Sequence, residues 1–372
     1  MTDTPTGTGT APPAPVVDIH THAMPLPLLR ALEREGRADL SGAADHVLTL
    51  DPALCGLPAG APVPLPPEQY AMDRRIALLD ASGVDHHVVA APPFLFASQA
   101  ADDALALELA RRSNDALAEF AAGSGGRLHG LATVPVGHPG AAAELTRALD
   151  ELGLVGATMG TFGAGRELDD PVNEDLWSVL AARRCFTLLH PSRVSERDRL
   201  ADYHLVQLLG YPLETALAVS RLIFGGVLER HELTLCLAHG GGCAHAVGAR
   251  LDLGWHRKPV ARVVGSEPTE FLRRLLYDTA VFDVRTIARL VEDVTARNVL
   301  LGTDTPFDLM DDRPLETVRR IGLDAADEAA ILGGNAAALL PGLGLGTGPA
   351  SAAGGRSLPS PSHSIQSKGR GH

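Results

Sequence analysis

The chain has 372 residues, 45% of them apolar, which is enough for one large α/β barrel or two ordinary domains. A net charge of −13 (32 basic against 45 acidic residues) and the absence of any basic stripe argue against nucleic acid as a partner. No apolar run reaches the ~18 residues that a membrane span needs, so no membrane partner is expected.

Residues 1–15 are almost all Thr, Pro, Gly and Ala, and 342–372 are rich in Gly, Ser and Pro. Both are expected to be disordered tails, which leaves a body at 16–341. The start has neither a basic nor an apolar stretch, so no signal peptide is expected in it. Cys55, Cys185, Cys236 and Cys243 show no CxxC spacing; a reducing, cytoplasmic setting without disulfides follows.

Within the body, Val16–Ile19 reads as a strand. It is followed by a Pro- and Gly-rich insertion at about 23–67, too long for an ordinary loop. Met72, Ile76 and Leu79 lie at helical spacing up to Gly83. Apolar runs at His86–Ala91, Leu128–Val134, Leu154–Gly160, Cys185–His190, Leu233–His239, Leu275–Ala280 and Asn298–Asp304 then alternate with amphipathic stretches. The helical region at Tyr203–Glu229 is expected to break at Gly210-Tyr211-Pro212. Near-continuous apolar strands separated by helices are the pattern of buried parallel strands. The expected architecture is an α/β (β/α)8 TIM-like barrel with a small insertion after the first strand. In such a barrel, functional groups stand at the C-terminal strand ends.

Polar residues gather at those ends: His20 and His22 on strand one, His190 on five, His239 on six and Asp304 on eight. Alternate residues of a strand point the same way, so His20 and His22 share a side. A lone histidine after a strand is usually an ordinary loop residue. Five such residues on four strand ends call for another account. A catalytic metal site needs about three to five N/O ligands and an open position. His20, His22, His190 and Asp304 satisfy that need. His239, beside Gly240–Gly242, suits acid/base work, because imidazole titrates near neutrality. His86 and His87 begin a strand at the opposite barrel end and read as structural. Arg111 and Arg112 read as solvated helix residues.

VDIHTH (17–22), LLHPS (188–192), LAHGGG (237–242) followed by VGARLDLGW (247–255), and LLGTDTPF (300–307) resemble the amidohydrolase superfamily. More narrowly they resemble its amidohydrolase-related family 2, the branch that includes semialdehyde and aromatic-acid decarboxylases. The resemblance covers about 16–341. It implies a metal-dependent barrel with His20, His22, His190 and Asp304 as ligands of one divalent ion, with zinc as the first candidate and manganese as the other. It implies His239 as the acid/base residue, Arg250 as a substrate-carboxylate contact reaching into the partner subunit's site, and a homodimer. The semialdehyde decarboxylases carry a further substrate arginine after strand one, whereas Asp45–Met72 contains no Arg or Lys here. The stretches Tyr203–Gln207 and Cys243–Ala246 also depart from the branch. The expected activity is a non-oxidative carbon–carbon lyase acting on a small aromatic or unsaturated carboxylic acid, with His239 or Asp304 delivering the proton. The alternatives are hydrolysis of an amide, lactone or ester by the same centre, and a non-catalytic binding protein that has kept the barrel.

Overall fold

The computed structural model describes residues 14–345, apart from 99 and 101. The expected tails therefore lie almost wholly outside the described residues. Of the C-terminal stretch only 342–345 are described, and there Leu343 is buried against the barrel floor.

Eight parallel strands follow one another around the sheet in chain order. They are β1 (Val17–His22), β2 (His86–Ala90), β3 (Leu128–Val134), β4 (Gly156–Gly160), β5 (Thr187–His190), β6 (Leu235–Leu237), β7 (Leu276–Asp278) and β8 (Val299–Leu300). The sheet nearly closes on itself: Ile19 N–H donates to Leu301 O at 2.9 Å and His22 N–H to Thr305 O at 2.7 Å. The eight apolar runs read from sequence are these eight strands, several shortened by two or three residues at an end. In the runs Leu233–His239, Leu275–Ala280 and Asn298–Asp304 the last two to four residues have left the ladder to build the rim, whereas the first strand continues past its run to His22.

The helices are α1 (Leu26–Arg34), α2 (Met72–Ser82), α3 (Asp103–Ala122), α4 (Ala141–Asp150), α5 (Glu174–Ala182), α6 (Tyr211–Phe224), α7 (Ala244–Arg257) and α8 (Val284–Val294), with shorter turns between and after them. Gly83 ends α2 in the left-handed region, φ 74°, as its position predicts. The break expected at Gly210-Tyr211-Pro212 does not occur. A wide helical turn at Val206–Gly210 runs straight into α6, and Pro212 occupies the first turn, where a missing N–H costs nothing. Gly225 and Gly226 end the helix instead.

Two kinds of core hold the barrel. Alternate strand residues such as Ile19, Val88, Leu131, Leu188, Cys236 and Leu300 fill the lumen, closed below by Leu340 and Leu343. The opposite strand faces pack on the helices, with Trp177 and Tyr277 the largest side chains there. A β-bulge in β1 shifts its register against β2 between Asp18 and Thr21. The extra residue lets His20 and His22 follow Val17 and Ile19 onto the lumen side, a common use of a bulge.

The insertion is a folded unit with its own core. Short strands at Ala38–Asp39, Val47–Leu50 and Val63–Pro64 pair antiparallel, and Leu28, Leu32, Leu48, Leu54 and Leu65 pack with Phe96 and Leu109 of the barrel body. Arg112 is not merely solvated: it makes a two-pronged ion pair to Glu35, 2.9 Å at each prong, and so ties α3 to the insertion. Arg111 likewise pairs with buried Glu144 at 3.0 Å.

Candidate metal centre

Each residue at the centre is delivered by a strand end. His20 and His22 finish β1 and His190 finishes β5. His239 follows β6 in a tight turn, and Asp304 follows β8. His239 and Asp304 both hold left-handed backbone conformations, φ 55° and 65°. Such angles in non-glycine residues are strained and concentrate at functional sites. Gly302 is required for room: a Cβ there would meet Asp278 Cβ at 2.8 Å and His20 Cβ at 3.0 Å.

The candidate ligand atoms of His20, His190, His239 and Asp304 all lie within 4.8 Å of one another. His22 completes the group: its Nε2 is 3.1 Å from Asp304 Oδ1, and its ring stands 5.1 Å from His20 and 5.2 Å from His190. All five sequence-derived residues therefore converge. His239 Nε2 is 3.3 Å from Asp304 Oδ2, so geometry draws it in as closely as the residues read as ligands.

The far nitrogens are anchored. His20 Nδ1 donates to Asp278 Oδ2 at 2.6 Å and His190 Nδ1 to Pro191 O at 2.8 Å; His22 Nδ1 faces Ala91 O at 3.4 Å. An anchored Nδ1–H leaves Nε2 with a free lone pair aimed inward, the usual outer-shell arrangement of metal-binding histidines. His20 Nε2 and His190 Nε2 are buried without hydrogen-bond partners. Leaving two such atoms unpaired is costly unless something ligates them. The donor set of imidazoles and one carboxylate fits a divalent ion.

Electrostatics agree. Burial disfavours a charged His20, but the Asp304 and Asp278 carboxylates outweigh it and push the imidazole up to about 9. Burial works against Asp304 ionising, but the charge of His20 and hydrogen bonds from His22 and His239 hold it well below the usual carboxylate range. Burial drives His190 far down and lowers His22. The centre is thus arranged to carry positive charge beside Asp304, and a cation binding there would displace the His20 proton.

Asp278 and Tyr211 were not singled out from sequence as site residues. Asp278 accepts from His20, from the amides of His239 (3.1 Å) and Gly240 (2.8 Å), and so joins β1 to the β6 turn. Tyr211 stacks on His239 with ring centres 6.4 Å apart, and burial pushes its phenol up to about 12. The one sequence signal for Asp278 is a carboxylate closing an apolar run, as Asp304 does.

His190, His239 and Asp304 form part of the wall of a pocket of about 370 Å3 whose other walls include Phe94, Tyr211, Phe282 and Phe307. It opens into a cleft of about 1120 Å3 between the insertion and the segment 192–207. Tyr203, His204, Val206 and Gln207 line that cleft, with Arg193 and Arg197 among its cations. Arg250 is not brought to the centre of its own chain. It is exposed on α7 and makes no ion pair or hydrogen bond among the described residues. No described helix is long and apolar enough to cross a membrane.

A family model for amidohydrolases matches residues 17–342. The 2-amino-3-carboxymuconate-6-semialdehyde decarboxylase of Dictyostelium discoideum is 32% identical over 271 residues, 71% of this chain and 75% of that protein. A gamma-resorcylate decarboxylase from Polaromonas sp. is 31% identical over 288 residues, 71% of this chain and 85% of that protein. Among solved structures, a dihydroxybenzoic acid decarboxylase from Polaromonas sp., with bound manganese and the inhibitor 2-nitroresorcinol, superposes with a TM-score of 0.71 at 22% identity, covering 88% of this chain and 97% of that one.

Proposed function

The chain belongs to the amidohydrolase family, and we propose that it is a metal-dependent, non-oxidative decarboxylase of a small aromatic carboxylic acid. The observation that carries this reading is the pocket. An aromatic-walled slot ends on His190, His239 and Asp304, so a flat acid entering it meets the metal ligands and a proton carrier together. Relatives at 30% identity or more that cover most of the chain are carboxy-lyases, which favours decarboxylation over hydrolysis.

His20, His22, His190 and Asp304 would hold the ion, and His239 would remain free for proton transfer. Zinc is our first assignment, and manganese is accepted by the same donors. A bound divalent ion supplies Lewis-acid polarisation of the substrate's oxygens. The chain's own residues do the rest. Phe94, Tyr211 and Phe307 set the plane of the ring. The hydrogen-bonded pair of His239 and Asp304 delivers a proton to the carbon bearing the carboxylate. The new carbon–hydrogen bond takes a π pair of the ring; the carbon–carboxylate bond then breaks, its electron pair returns to the ring to restore conjugation, and carbon dioxide leaves.

The chain is further read as a homodimer. Leu213 and Leu217 of α6 and Leu253 of α7 are 43–48% exposed, an apolar surface beside Arg250 that a second copy would cover. Arg250 would then offer its two-pronged guanidinium to the neighbouring site's carboxylate. Light scattering tests the dimer. Mixing Arg250→Ala with another inactive variant tests the shared site, since restored turnover needs an arginine acting in trans.

The deciding experiment is incubation with a panel of hydroxybenzoates and lactones in oxygen-18 water. Carbon dioxide release without label in the organic product is expected. Label in a product carboxylate would replace the lyase with a hydrolase.

A further inference from the structure

Arg75 of α2 is fully buried, and no carboxylate lies within ion-pairing distance of it among the described residues. Its guanidinium meets uncharged groups instead. Nε donates to Glu68 O at 2.8 Å, Nη1 faces His87 Nδ1 at 3.4 Å, and Nη2 donates to the carbonyl of His22. Burying a guanidinium without an adjacent anion is expensive, and an apolar side chain would fill the same space more cheaply. The position calls for a reason other than packing.

The His22 backbone supplies one. Its N–H is used by Thr305 O at 2.7 Å. The donor that a continued ladder would offer its carbonyl, Phe307 N–H, turns back to Asp304 O at 3.3 Å. Arg75 takes that vacant place. Two residues earlier, buried Asp18 accepts the His20 N–H at 3.1 Å, while Thr303 Oγ1 donates to Asp18 at 2.5 Å. The His-Thr-His segment is thus gripped at both ends by buried polar side chains, one bracing it against the β8 end and the other against α2.

We propose that Arg75 is a positioning residue for the metal centre: by holding the His22 carbonyl it fixes the aim of the His22 imidazole, and through Glu68 it ties that aim to the foot of the insertion. The inference rests on the metal-binding reading above, and not on which reaction the metal supports. Outer-shell partners of ligands are worth about 10- to 100-fold in metal affinity. Arg75 would act one step further out, on the ligand's main chain, so about 10-fold is expected.

The test measures zinc and manganese affinity by competition with a chromophoric chelator, at temperatures where circular dichroism shows each variant folded. Arg75→Met should bind about 10-fold more weakly than wild type. Arg75→Lys should fall between them, because an ammonium reaches one of the two carbonyls and not both. Asn114→Ala is the control for plain destabilisation. Asn114 is buried between α3 and β3, bonded to Thr133 and Glu144 away from the centre. It should lower the melting temperature and leave metal affinity unchanged. Wild-type affinity in folded Arg75→Met overturns the proposal. If that variant does not fold, wild-type affinity in Arg75→Lys overturns it equally. Wild-type protein that takes up neither metal would remove the metal reading itself, and the role of Arg75 with it.

Discussion

Two groups of histidines stand at opposite ends of the same barrel. At the C-terminal end are His20, His22, His190 and His239 around Asp304. At the N-terminal end are His86 and His129, with ring centres 5.3 Å apart. The residue type is the same, but His20, His22 and His190 are buried while His86 and His129 are only partly so. Three of the upper rings, His20, His190 and His22, are anchored through Nδ1 by Asp278, Pro191 and Ala91, so their Nε2 atoms are free to converge on a carboxylate. The lower rings use each other: His86 Nδ1 lies 3.1 Å from Gly126 O and 3.2 Å from His129 Nε2, and neither ring has an ion-pair partner among the described residues. Histidines become a metal site when their outer nitrogens are taken by groups behind them and an anion waits in front.

If that contrast is right, the largest effect belongs to the anion and the ligands. Asp304→Ala and His190→Ala should each abolish metal uptake and reduce turnover by about 10^3-fold or more, since metal catalysis is worth several kcal/mol and each 1.36 kcal/mol is tenfold. Metal analysis of the purified variants checks it. Stoichiometric metal in Asp304→Ala would mean the carboxylate is not part of the coordination.

His239→Ala should cost about 10^2- to 10^4-fold in kcat, the usual worth of a positioned acid/base group, with metal content near wild type. This sharpens the comparison within the upper cluster. Of the four upper histidines, His239 is the one whose Nδ1 has no partner behind it. Loss of metal along with activity would make it a ligand and move proton transfer to Asp304 alone.

Asp278→Asn comes next. It keeps the shape but replaces the carboxylate behind His20 with an amide that can present a donor to Nδ1. Metal affinity should fall about 10- to 100-fold. An unchanged affinity would show that anchoring of the far nitrogen is not what distinguishes the two ends.

The sequence showed the strands and the upper histidines because both are local signals. An apolar run broken by a polar residue marks a strand end, and the alternation in HTH places two rings together. Asp278 carries the same mark, yet its importance arises from a contact with His20 that is 258 positions away in the chain. Tyr211 was hidden by its neighbour: Pro212 suggested a break where the chain continues as helix. Arg75 sits on a helix that its apolar spacing predicts, but periodicity does not say that a charged residue on it is fully buried. The insertion was opaque because prolines and glycines mask Val47–Leu50, four residues of alternating burial whose partners are supplied from both sides.

The smallest effect concerns the lower pair and is a matter of stability alone. Burial, reinforced by the charge of His86, lowers the His129 imidazole to about 4, below its ordinary 6.5. The folded state therefore resists protonation that the unfolded chain accepts. The contribution of His129 to stability is complete above pH 6.5 and is lost as pH falls towards about 4. Replacing it by Phe removes the titrating group and keeps a ring against His86, so the variant should lose less stability than wild type across that window. The ring is only half buried, and screening by solvent keeps the difference near ~1 kcal/mol. Urea midpoints at pH 7 and pH 4.5 read it directly. Parallel losses in both proteins would show that His129 titrates as an ordinary surface histidine. A change in metal content in His129→Phe would break the comparison itself, because it would couple the two ends of the barrel.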